Sequence, residues 1–297
     1  MGVSPRSLLI ASLMWASTLP AAAANPAVRH GYVDYRFGQM HYTIATPTVR
    51  GAAAKTPIAM LHQTVNSAIE SRSLFHELAR DRVVIAIDTP GFGGSDGPDA
   101  VISIEQYAEA IAEGLRALGY RSSKPIDVLG FHTGALIAAE LAIAEPSIIR
   151  RVALSGVYVV SEERRKKAVA LLPTYKTSAE FFEWFTGFLP QLRKYAQERA
   201  IDDGDWGHIT AESLRPLVRR EFAHDAAFTY AARVRQRLPR VTQPVLLLAL
   251  GDGLRQPTLD SQPLFRNVKI ADLPQYLDGA YFPDPAPIAT ELRKFLD

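Results

Sequence analysis

The sequence predicts an α/β fold: a mostly parallel central sheet with helices on both faces, interrupted by one helical insertion. Three observations predict it. Short runs rich in Val, Ile and Leu alternate with stretches of helical spacing, the pattern of strand–helix–strand units. Several of those runs are apolar throughout, as strands covered on both faces are. Between residues 161 and 238 the alternation stops, several helical patterns follow one another, and then it resumes.

Residues 1–24 read as an export signal rather than as part of the fold. Arg6 supplies a positive charge, Leu8 to Leu19 is mostly apolar, and Ala22-Ala23-Ala24 offers an A-x-A cleavage site before Asn25. A short membrane anchor is the other reading, but the run is shorter than the ~20 residues a spanning helix needs. A secreted or periplasmic protein is expected, with no membrane attachment after cleavage.

Next, Tyr32 to Phe37 and Met40 to Ala45 form two strands joined at Gly38-Gln39. Pro57 to Leu61 and Val83 to Asp88 are apolar runs of buried-strand length, with helical spacing over Ser71 to Arg80 between them. Asp88 to Gly94 breaks the chain sharply. Ser103 to Leu118 places Ile104, Tyr107, Ile111 and Leu115 on one helix face, with Ser103 as N-cap and Gly119 as stop. Ile126 to Leu129 is a further buried strand, Ala135 to Ala144 a helix ended before Pro146, and Arg151 to Val160 a strand. After the insertion come strands at Pro244 to Leu250 and Asn267 to Ala271 and a closing helix around Ile288 to Leu296. The core therefore spans 25–160 and 239–297, with the insertion at 161–238.

Composition narrows the function. The chain has 297 residues, 47% of them hydrophobic and 22% charged, which suffices for a sizeable core. The net charge of +2, with no basic run interleaved with aromatics, excludes a nucleic-acid groove. No cysteine is present, so disulfides, thiolate metal sites and a cysteine nucleophile are excluded. A small-molecule substrate or ligand is the expected partner, and no cofactor is expected.

Three motifs carry chemistry. Leu61-His62-Gln63 ends a strand, Asp88-Thr89-Pro90-Gly91-Phe92-Gly93-Gly94-Ser95-Asp96 forms a glycine-rich loop, and Gly130-Phe131-His132-Thr133-Gly134 joins a strand to a helix. In order and spacing these resemble the α/β-hydrolase superfamily, over nearly all of the sequence beyond the export signal. The first is similar to its LHG strand end with Gln63 in place of glycine, the second to its D-x-P-G-F-G-x-S-D loop, the third to its nucleophile elbow. The resemblance implies an α/β-hydrolase fold whose insertion is a helical cap. An elbow residue sits on a tight strand-to-helix turn, so small residues two before and two after it avoid collisions. Gly130 and Gly134 meet that need, and histidine is among the residue types that tolerate φ > 0.

The triad the resemblance implies is incomplete. A serine is replaced by His132. The acid is expected after Val245 to Leu250, where Asp252 lies one or two residues before the usual position, at Gly253 or Leu254. The loop before the last helix should hold a histidine, but Asp278, Ala280 or Tyr281 takes its place, and no histidine follows His224.

His132 admits three readings. As general base or nucleophile it would have its tautomer set by Asp278 or Asp252; an imidazole with its ordinary pKa near ~6.5 works as a base at neutral pH. In the second reading the pocket binds a ligand without turnover. In the third His132 is a satisfied buried histidine, which the exposure of an elbow disfavours. Backbone N–H groups of Thr133 and of Gln63 or Thr64 would form an oxyanion hole, and His62, Phe131 and Tyr281 are pocket candidates. His62 also reads as a loop-bonding residue. A metal site from His62, His132 and Asp252 or Asp278 matches no ligand spacing, so none is expected. Ser95, Asp96 and Ser155 read as structural, Glu162 and Glu163 as solvated. His208, His224 and the aromatic run Phe181 to Phe188 belong to the insertion.

Overall fold

In the computed structural model, residues 26–47, 55–170, 177–198, 207–208, 210–212, 214–215, 222–276 and 284–297 are described. Eight strands form one sheet in the order β1-β2-β4-β3-β5-β6-β7-β8. The first two, β1 (Ala27–Tyr35) and β2 (Gly38–Thr46), make an antiparallel hairpin that pairs antiparallel to β4 (Val84–Ile87). From there β3 (Ile58–Leu61), β5 (Ile126–Phe131), β6 (Ile149–Ser155), β7 (Val245–Leu250) and β8 (Val268–Leu273) run parallel. The hairpin begins five residues before the expected Tyr32 because β1 is an edge strand. Exposed on most of its length, it lacks the apolar signature of the central strands.

The strands β3, β4, β5 and β7 are buried at every position, which is why their sequences are apolar runs, broken in β5 only by Asp127, which Arg150 pairs. One face packs on α2 (Ile104–Ala117), α3 (Thr133–Ala144) and α6 (Ala223–Ala231), the other on α1 (Arg72–Leu78) and α9 (Ala286–Leu296). The α2 start is a capping box, with Ser103 Oγ accepting from Gln106 N–H and the Gln106 side chain accepting from Ser103 N–H. Helix α3 is apolar apart from Thr133 and Glu140 and correspondingly buried from Thr133 to Ala142. Between β6 and β7 the chain contributes α4 (Glu162–Ala170), α5 (Ser178–Glu198), α6 and the short α7 (Val234–Arg237). A short helix that the spacing does not reveal, α8 (Arg255–Asp260), follows β7.

Candidate active site

The parallel strands bring the ends of β3, β5, β6 and β7 side by side, the place where open α/β sheets collect ligands. At the end of β5, His132 turns the chain with φ 49° and ψ −111°, and it alone among the described non-glycine residues has positive φ. Strain at one defined residue is a mark of functional turns. The flanking glycines are required: a Cβ on Gly130 would strike the backbone of Gly134 and Ala135, and one on Gly134 the carbonyls of Leu61 and His62. The turn is held by His132 N–H donating to Ser155 O at 2.8 Å, while His132 O accepts from Ala135 N–H at 3.0 Å to start α3.

The His132 ring reaches across to β7. Its Nε2 lies 2.8 Å from Asp252 Oδ2, with the imidazole side chain 24% exposed and the carboxylate 5%. The other oxygen, Oδ1, accepts from Leu254 N–H at 2.7 Å. Burial works against ionising Asp252, but the hydrogen bond and charge of His132 and the N–H groups of Leu254 and Arg255 outweigh it and hold the carboxyl below its ordinary range. An ionised carboxylate only accepts, so Nε2 carries the proton in the neutral ring. Nδ1 is left with its lone pair, and no partner reaches it among the described residues. Of the two carboxylates expected to pair with His132, Asp252 is in place. Asp278 lies outside the described residues, as does Tyr281.

The expected oxyanion donors divide. Gln63 N–H donates to Glu70 Oε2 at 3.0 Å, so this N–H is engaged inside the loop rather than turned to the site. Thr133 is the first residue of α3, where backbone N–H groups lack intrahelical acceptors. Of the expected donors, Thr133 and Thr64 remain as candidates.

Two pocket candidates are buried instead. His62 is 2% exposed: Nδ1 bonds Gln63 O at 2.8 Å and Nε2 accepts from Thr89 N–H at 2.9 Å, clamping two loops. Burial keeps it neutral, its pKa below the usual histidine value despite the nearby Asp88 charge. Phe131, 1% exposed, points into the core on the α1/α9 face, as alternation along β5 dictates. The Asp88 loop is structural as expected. Ser95 Oγ donates to Asp88 O at 2.7 Å, and Asp96 Oδ2 accepts from Gln39 N–H at 2.7 Å. Glu162 is exposed and paired with Arg165.

The insertion meets the core at this end of the sheet. Phe181 and Phe185 bury against Val65, next to Thr64, with Trp184, Leu189 and Leu214 around them. Arg164 Nη2 donates to Gly253 O at 2.8 Å, beside Asp252. His224 stacks on Phe228 and His208 is exposed, so neither joins His132. A cavity of about 420 Å³ opens not at His132 but beside the hairpin, lined by His30, Tyr32, His41, Arg72, Glu212 and Arg215 among others. There Asp88 holds its loop, accepting from His41 Nδ1 at 2.7 Å and from the N–H groups of Ala68 and Gly94. The cavity has a His41–Asp88 pair of its own; what sets the His132–Asp252 pair apart is its place on a positive-φ turn at the strand ends. Among the described residues no group of three His, Asp or Glu side chains is placed to hold a metal.

Three contributors were not legible beforehand. Gly156 lies against the His132 ring, Thr258 Oγ1 accepts from Val157 N–H at 2.9 Å, and Glu70 takes the Gln63 N–H. The only sequence signals are a glycine directly after a strand and one carboxylate within the apolar stretch Ala68-Ile69-Glu70.

Comparison with known proteins follows the geometry. The model of the alpha/beta hydrolase family matches residues 67–289. Pyrrolizixenacetamide deacetylase from Xenorhabdus hominickii is 23% identical over 236 residues, 75% of this chain and 84% of that protein. A hydrolase from Pseudomonas aeruginosa superposes with a TM-score of 0.69 at 18% identity, covering 90% of this chain and 98% of its own. A mutant N-acyl homoserine lactonase complexed with N-hexanoyl homoserine gives a TM-score of 0.67 at 20% identity, covering 91% and 96%.

Proposed function

Because the chain belongs to the alpha/beta hydrolase family, we propose that it cleaves a small carbonyl compound, an ester or lactone before a β-diketone, with His132 as general base. The observation that carries this is the His132–Asp252 pair: a 2.8 Å hydrogen bond on a partly exposed elbow, with Nδ1 left as the base. Nδ1 takes a proton from water, and the hydroxide attacks the carbonyl carbon. The developing oxyanion meets the N–H groups of Thr133 and Thr64, and Asp252 stabilises the imidazolium. Collapse breaks the bond to the leaving oxygen, which receives the proton from Nδ1. The similarities to an acetamide deacetylase, a methyl ester esterase and a lactonase support cleavage of a small acyl compound.

The test is turnover of a panel of short-chain aryl esters, lactones and β-diketones by the wild type and by His132→Ala. Loss of about 10²–10⁴-fold in rate is expected. Undiminished turnover by His132→Ala would remove His132 from the mechanism.

The engaged Gln63 N–H favours a second reading, a ligand-binding protein without turnover on the same scaffold. It predicts saturable binding of a small apolar ligand, no reaction on the panel, and no activity from His132→Ser, since no histidine stands in the partner position. For residues 1–24 we propose export. Expression in a Gram-negative host should yield periplasmic protein whose mass begins at Asn25, and uncleaved cytoplasmic protein would refute it.

A further inference from the structure

We propose that Gly156 is the positioning residue for His132: the bare Cα after β6 lets an imidazole stand on the elbow in the rotamer that reaches Asp252. Gly156 has φ 71°, and a Cβ built on it would lie 2.8 Å from His132 Nε2, 3.0 Å from Cγ and nearer still to Cδ2. The collision falls on the Cδ2–Nε2 edge, the edge that carries the bond to Asp252. The ring cannot swing away from a side chain there and keep that bond.

The backbone has no room to retreat either. Ser155, just before, accepts the His132 N–H at 2.8 Å and pairs with Phe131 in the β5–β6 ladder. Val157, just after, donates to Thr258 Oγ1 at 2.9 Å, and Thr258 is fully buried in α8, the helix that follows Asp252. Gly156 is therefore tied to the elbow on one side and to the Asp252 segment on the other. A serine on the elbow would end at Oγ and place no ring over this glycine. The steric demand thus comes from histidine and not from the turn.

This inference rests on the proposed role of His132 only for its effect on turnover, and its test reads structure, so the two fail separately. Positive φ penalises alanine at position 156 whatever stands on the elbow; the ring collision exists only when His132 is present. Urea unfolding of the wild type, Gly156→Ala, His132→Ser and the double variant separates the two costs. We expect Gly156→Ala to raise the unfolding equilibrium constant at least about tenfold more in the wild-type background than in the His132→Ser background. Imidazole ¹⁵N spectra should show His132 as the Nε2–H tautomer in the wild type and lose that signature in Gly156→Ala. A single variant that fails to fold while the double folds is the same coupling at its largest. Equal cost in both backgrounds, failure of both to fold, or an unchanged tautomer signature in Gly156→Ala each overturns the proposal.

Discussion

Two atoms decide what His132 can do. Nε2 is committed to Asp252, so every change at position 252 reaches Nδ1 through the ring. Asp252→Asn keeps the size but offers an amide that is able to donate, which permits the opposite tautomer and puts the proton on Nδ1. Turnover at neutral pH should fall about 10²–10⁴-fold, and the double variant with His132→Ala should be no worse than either single one. Additive losses on the best substrate of the panel would mean the two residues do not act as a unit. Stability gives a second readout. The folded Asp252 carboxyl titrates below its ordinary range, so its contribution is full above that range and is lost as pH falls through the lowered value. The gap in unfolding free energy between wild type and Asp252→Asn should therefore close on acidification below about pH 4, and a gap that widens would reverse the sign.

Among the elements, α3 is held at both ends by different means: the elbow at its start and a buried carboxylate near its end. Glu140, 2% exposed, accepts from Tyr230 Oη at 2.6 Å in α6 and from Arg237 Nε and Nη2 at 2.7 and 2.5 Å in α7. Removing the guanidinium would strand a buried charge, so Arg237→Ala should cost about 3 kcal/mol. Glu140→Leu with Arg237→Met and Tyr230→Phe, which leaves no buried polar group unpaired, should cost much less, both measured by urea unfolding. An Arg237→Ala loss below about 0.5 kcal/mol would make the pair a surface contact in effect. Ser103→Ala opens the capping box of α2 and should cost about 1 kcal/mol by the same measurement. The elements themselves were largely legible, because strands buried on both faces must be apolar runs and amphipathic helices must repeat every third or fourth residue. The edge strand β1 and the six-residue α8 escaped for the converse reason: exposure and brevity leave no periodic signal. At the site, the His132 elbow and Asp252 as one possible partner were readable from motif spacing. That Asp252 reaches His132 was not, since 120 residues separate the two and only the β5-β6-β7 adjacency joins them. Gly156 was silent, because a glycine after a strand gains meaning only when the neighbouring side chain is a ring.

At the scale of the whole molecule, burial of ionisable groups sets how the fold responds to acid. His62 is held neutral inside the molecule, with burial as the leading cause of its lowered pKa and its two ring nitrogens committed to Gln63 and Thr89. The unfolded chain takes a proton at this residue below about pH 6.5 and the folded one resists it, so stability should begin to fall there. His76, an exposed residue, shifts the same way through partial desolvation and the Arg72 charge and adds a smaller share in its more solvated place. A second decline follows at lower pH. Asp81, Asp88, Asp252 and Asp297 are each held below the usual carboxylate range by hydrogen bonds and charges that overcome burial, and their stabilisation is lost as they protonate. Asp127 opposes them: burial raises its pKa in spite of Arg150, so its protonation favours the folded state as pH drops. Glu113, paired with Arg36, and Glu162, paired with Arg165, are lowered as well, so the net slope below about pH 4 is destabilising. Urea unfolding at pH 7.5, 5.5 and 3.5 should show two successive losses, and His62→Gln, though less stable throughout, should flatten the first. A wild type equally stable at pH 7.5 and 5.5 would mean that His62 is protonated inside the fold, and the neutral clamp between the Gln63 and Thr89 loops would have to be abandoned.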